Sequence, residues 1–238
     1  MFRITLLTSL LALAVSGMLN KQGHLEVIGV NKTKSSEESS QQRVVAGDYQ
    51  RLQTSGDEQT RTVATSTIHP GYNPSDPESF GYDVCVISVR ERFYFGVGDV
   101  TQIRAAQLNR NANITVNTRM TVMGWGSTEN ILDPALRVHK AVVPMVSDEE
   151  CESIWSIYYE PPQMVCAGYV AQGGVNPCNG DSGGPLVLEE DIDTVVGIVS
   201  YGSAISCAEP GYPAVYAEMA YFADWIDNTA QKSRPSTS

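Results

Sequence analysis

The residues best suited to chemistry lie in one glycine-rich run, Gly180-Asp181-Ser182-Gly183-Gly184-Pro185. A serine hydroxyl attacks an acyl carbon only when a base takes its proton, and the resulting oxyanion needs hydrogen-bond donors held in place beforehand. The glycines permit a tight loop in which the backbone N–H groups of Gly180 and Ser182 point into one pocket. That would meet the second need, although three such residue types also make an ordinary Gly-Ser-Pro turn. The first need directs attention to histidine, and the chain has three: His24, His69 and His139. His139 falls in the alternating run Leu136–Val143, where a surface strand position is expected, and His69 sits in a Pro-Gly turn. Asp83 opens an apolar run and by itself reads as a turn residue.

The elements that must position these groups are short. After Arg43, brief runs of β-branched and apolar residues alternate with Gly, Pro, Asn and Asp turns: Val44–Ala46, Val84–Val89, Arg119–Trp125, Leu136–Val146 and Thr194–Tyr201. Many short strands separated by turns predict an all-β sandwich or barrel. Two helices are expected. A short one is opened by Ser147, with Asp148, Glu149 and Glu150 in its first turn, and a C-terminal one spans Ala220–Gln231 with a stripe of Tyr221, Phe222, Trp225 and Ile226. No solenoid repeat is evident.

Composition bounds the function. The chain has 238 residues and is 42% hydrophobic, enough for one large all-β domain. Its net charge of −11 offers no basic stripe for phosphate neutralisation, which argues against nucleic acid as a partner. Residues 1–17 have the layout of a cleavable secretory signal: Arg3, an apolar stretch Ile4–Val15, then small residues at Ala14, Ser16 and Gly17. That stretch is shorter than the roughly 20 residues a membrane span requires. Residues 18–42 are polar, with Lys32–Gln42 free of apolar side chains, and the latter half is expected to be disordered. The sequons at Asn31 and Asn113 become glycosylation candidates if the chain is secreted. Secretion also implies oxidised cysteines, and Cys85, Cys151, Cys166, Cys178 and Cys207 are an odd set. No metal-ligand cluster is evident, and no cofactor is required for the serine chemistry.

Several separated motifs between Arg43 and Gln231 resemble, in order, those of the trypsin-like serine proteases. They are Thr121-Val122-Met123-Gly124-Trp125-Gly126, Val165-Cys166-Ala167-Gly168, the Ser182 loop, Gly197-Ile198-Val199-Ser200-Tyr201-Gly202, and Pro210-Gly211-Tyr212-Pro213-Ala214-Val215-Tyr216. The run Val143–Cys151 resembles the arthropod digestive trypsins. The resemblance implies two antiparallel β-barrels, the first incomplete, with a C-terminal helix. Residues 43–117 would form the partial first barrel, 118–219 the second, and 220–231 the helix, with 232–238 a tail. It further implies Ser182 as nucleophile, Asp83 as the carboxylate that orients the histidine, and Gly180 and Ser182 as oxyanion donors. Disulfides Cys151–Cys166 and Cys178–Cys207 follow by the same resemblance, leaving Cys85 as a buried strand thiol. A monomer acting on peptide or protein substrates is expected.

Two departures matter. Nothing reads as the Ala-Ala-His-Cys segment that carries the family's base, and His24, the one histidine upstream of Asp83 apart from His69, is flanked by Gly23 and Leu25. Arg43-Val44-Val45-Ala46-Gly47 resembles an activation site, but its spacing to Glu58-Gln59-Thr60 and His69-Pro70 fits an interior strand of the first barrel. Asp181 would then lack its usual amine partner. The second departure is in the specificity pocket, where Asn176 and Pro177 stand in place of the Asp that meets a cationic substrate, with walls at Ser200, Tyr201, Gly202 and Ala214. A buried cation without a countercharge is costly, so a neutral side chain of medium to large size is expected. The chain is accordingly read as a serine endopeptidase by family that hydrolyses peptides poorly or not at all as written. The alternative is a non-catalytic homologue that binds peptides or proteins.

Overall fold

The computed structural model describes residues 17–19, 25–29, 43–54, 56, 58–73, 75–94, 103, 105–128 and 135–232. Most of the signal-like stretch, the polar run 30–42, His24 and the tail from 233 lie outside them. The first half contributes β1 (Gly17–Leu19), β2 (Leu25–Gly29), β3 (Arg43–Ala46), β4 (Gln59–Ile68) and β5 (Cys85–Val89). They hydrogen-bond in the order β1-β2-β5-β4-β3, a sheet that the described residues leave open at β1 and β3. This is the incomplete first barrel.

In β3 the side chains alternate between solvent and core, with Val44 and Ala46 buried. The strand runs antiparallel to β4, with Val44 opposite Arg61. Val44 is therefore part of a sheet strand with its side chain in the core, as the spacing to Glu58–Thr60 predicts, and that strand lies at the edge of the described sheet. Two elements escaped the sequence pattern. β4 reads Gln-Thr-Arg-Thr-Val-Ala-Thr-Ser-Thr-Ile and buries only Val63, so no hydrophobic alternation marks it, yet its threonines suit a pleated surface. The sheet also begins before Arg43: Val27 and Ile28 of β2 pair with Ile87 and Val86 of β5. Averaged over residues 18–42, that short run was masked by its polar neighbours.

The second half supplies β6 (Gln107–Leu108), β7 (Arg119–Gly124), β8 (His139–Val146), β9 (Met164–Ala167), β10 (Pro185–Leu188), β11 (Thr194–Tyr201) and β12 (Ala214–Glu218). Six of these close into a barrel in the order β10-β7-β8-β9-β12-β11, with β11 returning to β10. β6 adds in parallel to the outside of β11. Closure leaves the six strands without a free edge, and Met120, Val143, Leu186, Val196 and Tyr216 fill the interior.

Helix α1 (Asp148–Trp155) begins where its cap predicts, the Ser147 hydroxyl accepting the Glu150 N–H at 3.1 Å, and three acids complement the positive end of the helix dipole. Helix α2 (Met219–Lys232) buries Phe222, Ala223 and Ile226. These pack with Val84 and Val86 of the first half and with Leu108, Val195 and Ile198 of the second. One apolar seam therefore joins the two halves, and Asp83 is the residue immediately before it.

At the end of β12, Glu218 is only 4% exposed, and burial with the nearby Asp148 carboxylate raises its carboxyl to about 7. Its backbone N–H donates to Gln163 O at 2.9 Å. A carboxyl whose folded value exceeds its unfolded one favours the fold fully below the unfolded value and loses that contribution as pH rises through the folded one. Stability is therefore expected to fall by about 3 kcal/mol between pH 4.5 and pH 7.5 through this group. Urea unfolding across that range checks it, and Glu218→Gln should flatten the slope.

Candidate active site

The Ser182 loop connects Cys178 to β10. Gly180 and Gly183 adopt φ of 100° and 83°, values that side-chain-bearing residues rarely take, so the loop can be this tight only with glycine at both places. Two ladder bonds fix it against β11: Gly183 N–H donates to Val199 O and Val199 N–H to Gly184 O, each at 2.9 Å. Ser182 is left exposed beside the strand that carries Ser200 and Tyr201.

From the opposite side, the seam delivers Asp83. It is 7% exposed and accepts a hydrogen bond from the Ser200 hydroxyl at 2.8 Å. Ser200, expected in a pocket wall, is thus the link between β11 and Asp83 of the first half. No local residue pattern signals that contact, because the two residues are 117 positions apart.

Asp181 turns inward beneath Gly124 and Gly126. Its carboxylate accepts the Gly126 N–H at 2.7 Å and the Cys178 N–H at 2.9 Å. Burial raises its carboxyl above the ordinary range, while those two N–H groups and the charge of His139 pull it the other way. A Cβ on Gly126 would lie 2.3 Å from Asp181 Oδ2. Gly126→Ala is therefore expected to expel the carboxylate, losing a charge-assisted hydrogen bond and about 2 kcal/mol of stability. Thermal unfolding beside the parent protein checks it.

The two described histidines occupy structural surroundings. His69 Nδ1 accepts the Gly71 N–H at 3.1 Å, and its ring lies 5.0 Å from Tyr82, 5.4 Å from Phe222 and 4.6 Å from Trp225. Burial lowers its affinity for a proton. His139 opens β8 on the surface, opposite Gly124. Both environments agree with the strand and turn positions expected from sequence. His24 lies outside the described residues.

The residues expected to line a specificity pocket lie at or near the adjoining ends of β9, β11 and β12. The Asn176 side chain donates from Nδ2 to Tyr212 O at 3.0 Å, and its Oδ1 is buried without a partner among the described residues. Ala214 is buried opposite Ala167, while Gly202 has open space where a side chain would stand. Tyr201 is anchored by donating its hydroxyl to Tyr158 O and by edge contact with Trp155, ring centres 5.1 Å apart. Trp155 in turn donates its indole N–H to Pro213 O at 3.1 Å. Pro177 is half-buried beside Asn176. Disulfides Cys151–Cys166 and Cys178–Cys207 brace α1 to β9 and the Ser182 loop to the facing segment, and Cys85 is a buried thiol outside any disulfide, 3.2 Å from the Ser66 hydroxyl. Among the described residues no group of three His, Cys, Asp or Glu side chains is placed to hold a metal ion, and no helix is long and apolar enough to cross a membrane.

Comparison with known proteins agrees with this arrangement. Trypsin-1 of Astacus astacus is 34% identical over 189 residues, 79% of this chain and 75% of that protein. Trypsin 5G1 of Aedes aegypti is 36% identical over 159 residues, which covers 66% of this chain and 55% of that protein. A trypsin of Saccharopolyspora erythraea is 35% identical over 162 residues, 68% of this chain and 64% of its own length. The family model for trypsin matches residues 24–226. With the closed second barrel, the glycine-bounded Ser182 loop and both disulfides in place, the chain belongs to the trypsin family of serine proteases.

Proposed function

We propose that this chain carries the acyl-transfer site of a secreted serine endopeptidase, with Ser182 as nucleophile, Asp83 as the orienting acid and the N–H groups of Gly180 and Ser182 as oxyanion donors, but without an imidazole to activate Ser182. The observation that carries this reading is the placement of the histidines. His69 packs against three aromatic rings, and His139 stands exposed at the start of β8. His24 lies outside the described residues. Asp181, held by backbone N–H groups, supports an ordered oxyanion loop, and the two disulfides support an oxidising compartment.

The pocket takes a neutral substrate side chain. Asn176 supplies no charge to a guanidinium or ammonium group, and desolvating a cation without a countercharge is costly. Gly202 leaves the mouth open and Ala214 limits the depth.

A fluorophosphonate probe tests the central claim, because it reports an activated serine directly. Less than a few per cent labelling of Ser182 is expected. Stoichiometric labelling would overturn the reading, and its loss in His24→Ala would identify the base, since the family match begins at that residue. Absent labelling together with measurable peptide binding describes a protein that retains the groove as a binding module.

A further inference from the structure

Residues 69–72 make a tight turn that is fastened to the segment carrying Asp83. His69 N–H donates to Val84 O at 2.9 Å, and Tyr72 N–H closes the turn on His69 O at 3.0 Å. The His69 ring takes part as well, accepting the Gly71 N–H on Nδ1 at 3.1 Å. Tyr82, the residue before Asp83, receives both ends of this arrangement. The His69 ring stacks on it, centres 5.0 Å apart and planes 15° from parallel. A Cβ on Gly71 would lie 2.8 Å from the Tyr82 ring, so the turn rests against that ring at a place without room for a side chain. Burial, and then the charge of the nearby Asp83, hold the Tyr72 phenol above its ordinary range. The turn thus bonds the residue after Asp83, lies on the residue before it and places a phenol close to its carboxylate.

We propose that this turn is an acid-sensitive latch on Asp83: protonation of His69 unfastens residues 71–72 and loosens the hold on the acid. A neutral imidazole that accepts an N–H on Nδ1 carries its own hydrogen on Nε2. A proton added to Nδ1 turns that acceptor into a donor facing the Gly71 N–H, and two donors cannot bond. The ring itself is held in place, because a cation is attracted to the neighbouring Tyr82 and Trp225 rings. Gly71 therefore moves, and Tyr72 with it, away from Asp83.

The charged and titratable groups around the ring come from three sides. On the turn and the segment behind it they are Tyr72, Tyr82 and Asp83; from α2 comes Tyr221, whose phenol hydrogen-bonds Tyr82. Asp76 and Glu160 line the cavity that Gly71 and Tyr82 share, and Lys232 lines the groove between Pro70 and Trp225. Burial is what lowers the proton affinity of His69 from its ordinary 6.5. The folded protein binds this proton less readily than the unfolded chain does, so the contribution is complete above the unfolded value and is lost as pH falls. That slope is opposite to the one expected from Glu218, and a local reading separates the two. The consequence for chemistry rests on the role proposed for Asp83; the motion itself does not.

Backbone amide exchange by NMR on the full chain at pH 7.5 and pH 5, corrected for intrinsic rates, reads the latch directly. The Gly71 and Tyr72 amides are expected to lose protection about fivefold at the lower pH, the size of one hydrogen bond. The loss should follow titration of the His69 ring below 6.5, and the Asp83 carboxyl carbon should shift with the same midpoint. His69→Asn keeps an acceptor for the N–H two residues on and has no proton to gain, so protection should stay high at both pH values. His69→Phe keeps the ring contacts without an acceptor, so protection should be low at both. Equal protection of the parent protein at the two pH values, His69 titrating at or above 6.5, a full pH response in His69→Asn, or an Asp83 carbon that ignores the His69 titration would each overturn the proposal. Labelling of Ser182 enters none of these readings, so failure here is distinct from failure of the catalytic reading.

Discussion

Peptide hydrolysis by this chain is expected to run about 10⁶-fold below that of a complete serine, histidine and acid triad, or about 8 kcal/mol on the barrier. The reason is the shape of the triad rather than any single contact. Ser182 is exposed on a loop pinned to β11, and Asp83 is anchored through Ser200, so the residues proposed as nucleophile and acid are both delivered to the same strand. What joins them in an active enzyme is an imidazole that bonds both; of the described imidazoles, His69 is held by Gly71 N–H and three rings, and His139 stands exposed at the start of β8. Members of such a unit do not contribute additively: once one is missing, removing another costs little more, and what persists is about 10³ to 10⁴ over water from the oxyanion donors and binding. Ser182→Ala should therefore change the residual rate by less than about threefold. Fluorogenic peptide hydrolysis of the two proteins, measured side by side, decides the matter. A tenfold or larger drop on substitution would mean that Ser182 is activated after all.

How much of this was legible in the sequence depends on range. The Ser182 loop, the Ser147 helix cap and the apolar stripe of α2 are local, and each was readable from residues within one or two turns of chain. The strands that alternate or run apolar, such as β3, β5 and β11, were readable for the same reason. β4 was not, because its threonines meet the sheet through their backbone and β-branching while only Val63 reaches the core. The contact between Ser200 and Asp83 and the inward turn of Asp181 under Gly126 both depend on which elements meet in space. Residue types gave no signal for those. The resemblance to trypsin-like proteases supplied the expected neighbourhood of each, and the geometry then added what each atom touches.

The second large effect concerns the seam that brings Asp83 to β11. Phe222 is fully buried on α2 and touches both halves of the molecule. Its ring lies 5.4 Å from that of His69 and 6.4 Å from that of Tyr82, both of the first half, while its cluster includes Val195 and Ile198 of the second barrel. Phe222→Ala should cost about 3 to 5 kcal/mol, combining lost apolar burial with a cavity that two rigid sheets cannot fill by collapsing. Phe222→Leu, which keeps most of the volume, should cost less than about 1.5 kcal/mol. Because the first-half sheet is open among the described residues, it relies on this seam more than the closed barrel does. The alanine variant is therefore expected to expose the first half preferentially. In hydrogen exchange, the amides of β4 and β5 should lose protection well before those of β7, β8 and β12. Uniform loss across all five strands would show instead that the two halves unfold as one unit, and the seam would then have no special part in holding Asp83 against Ser200.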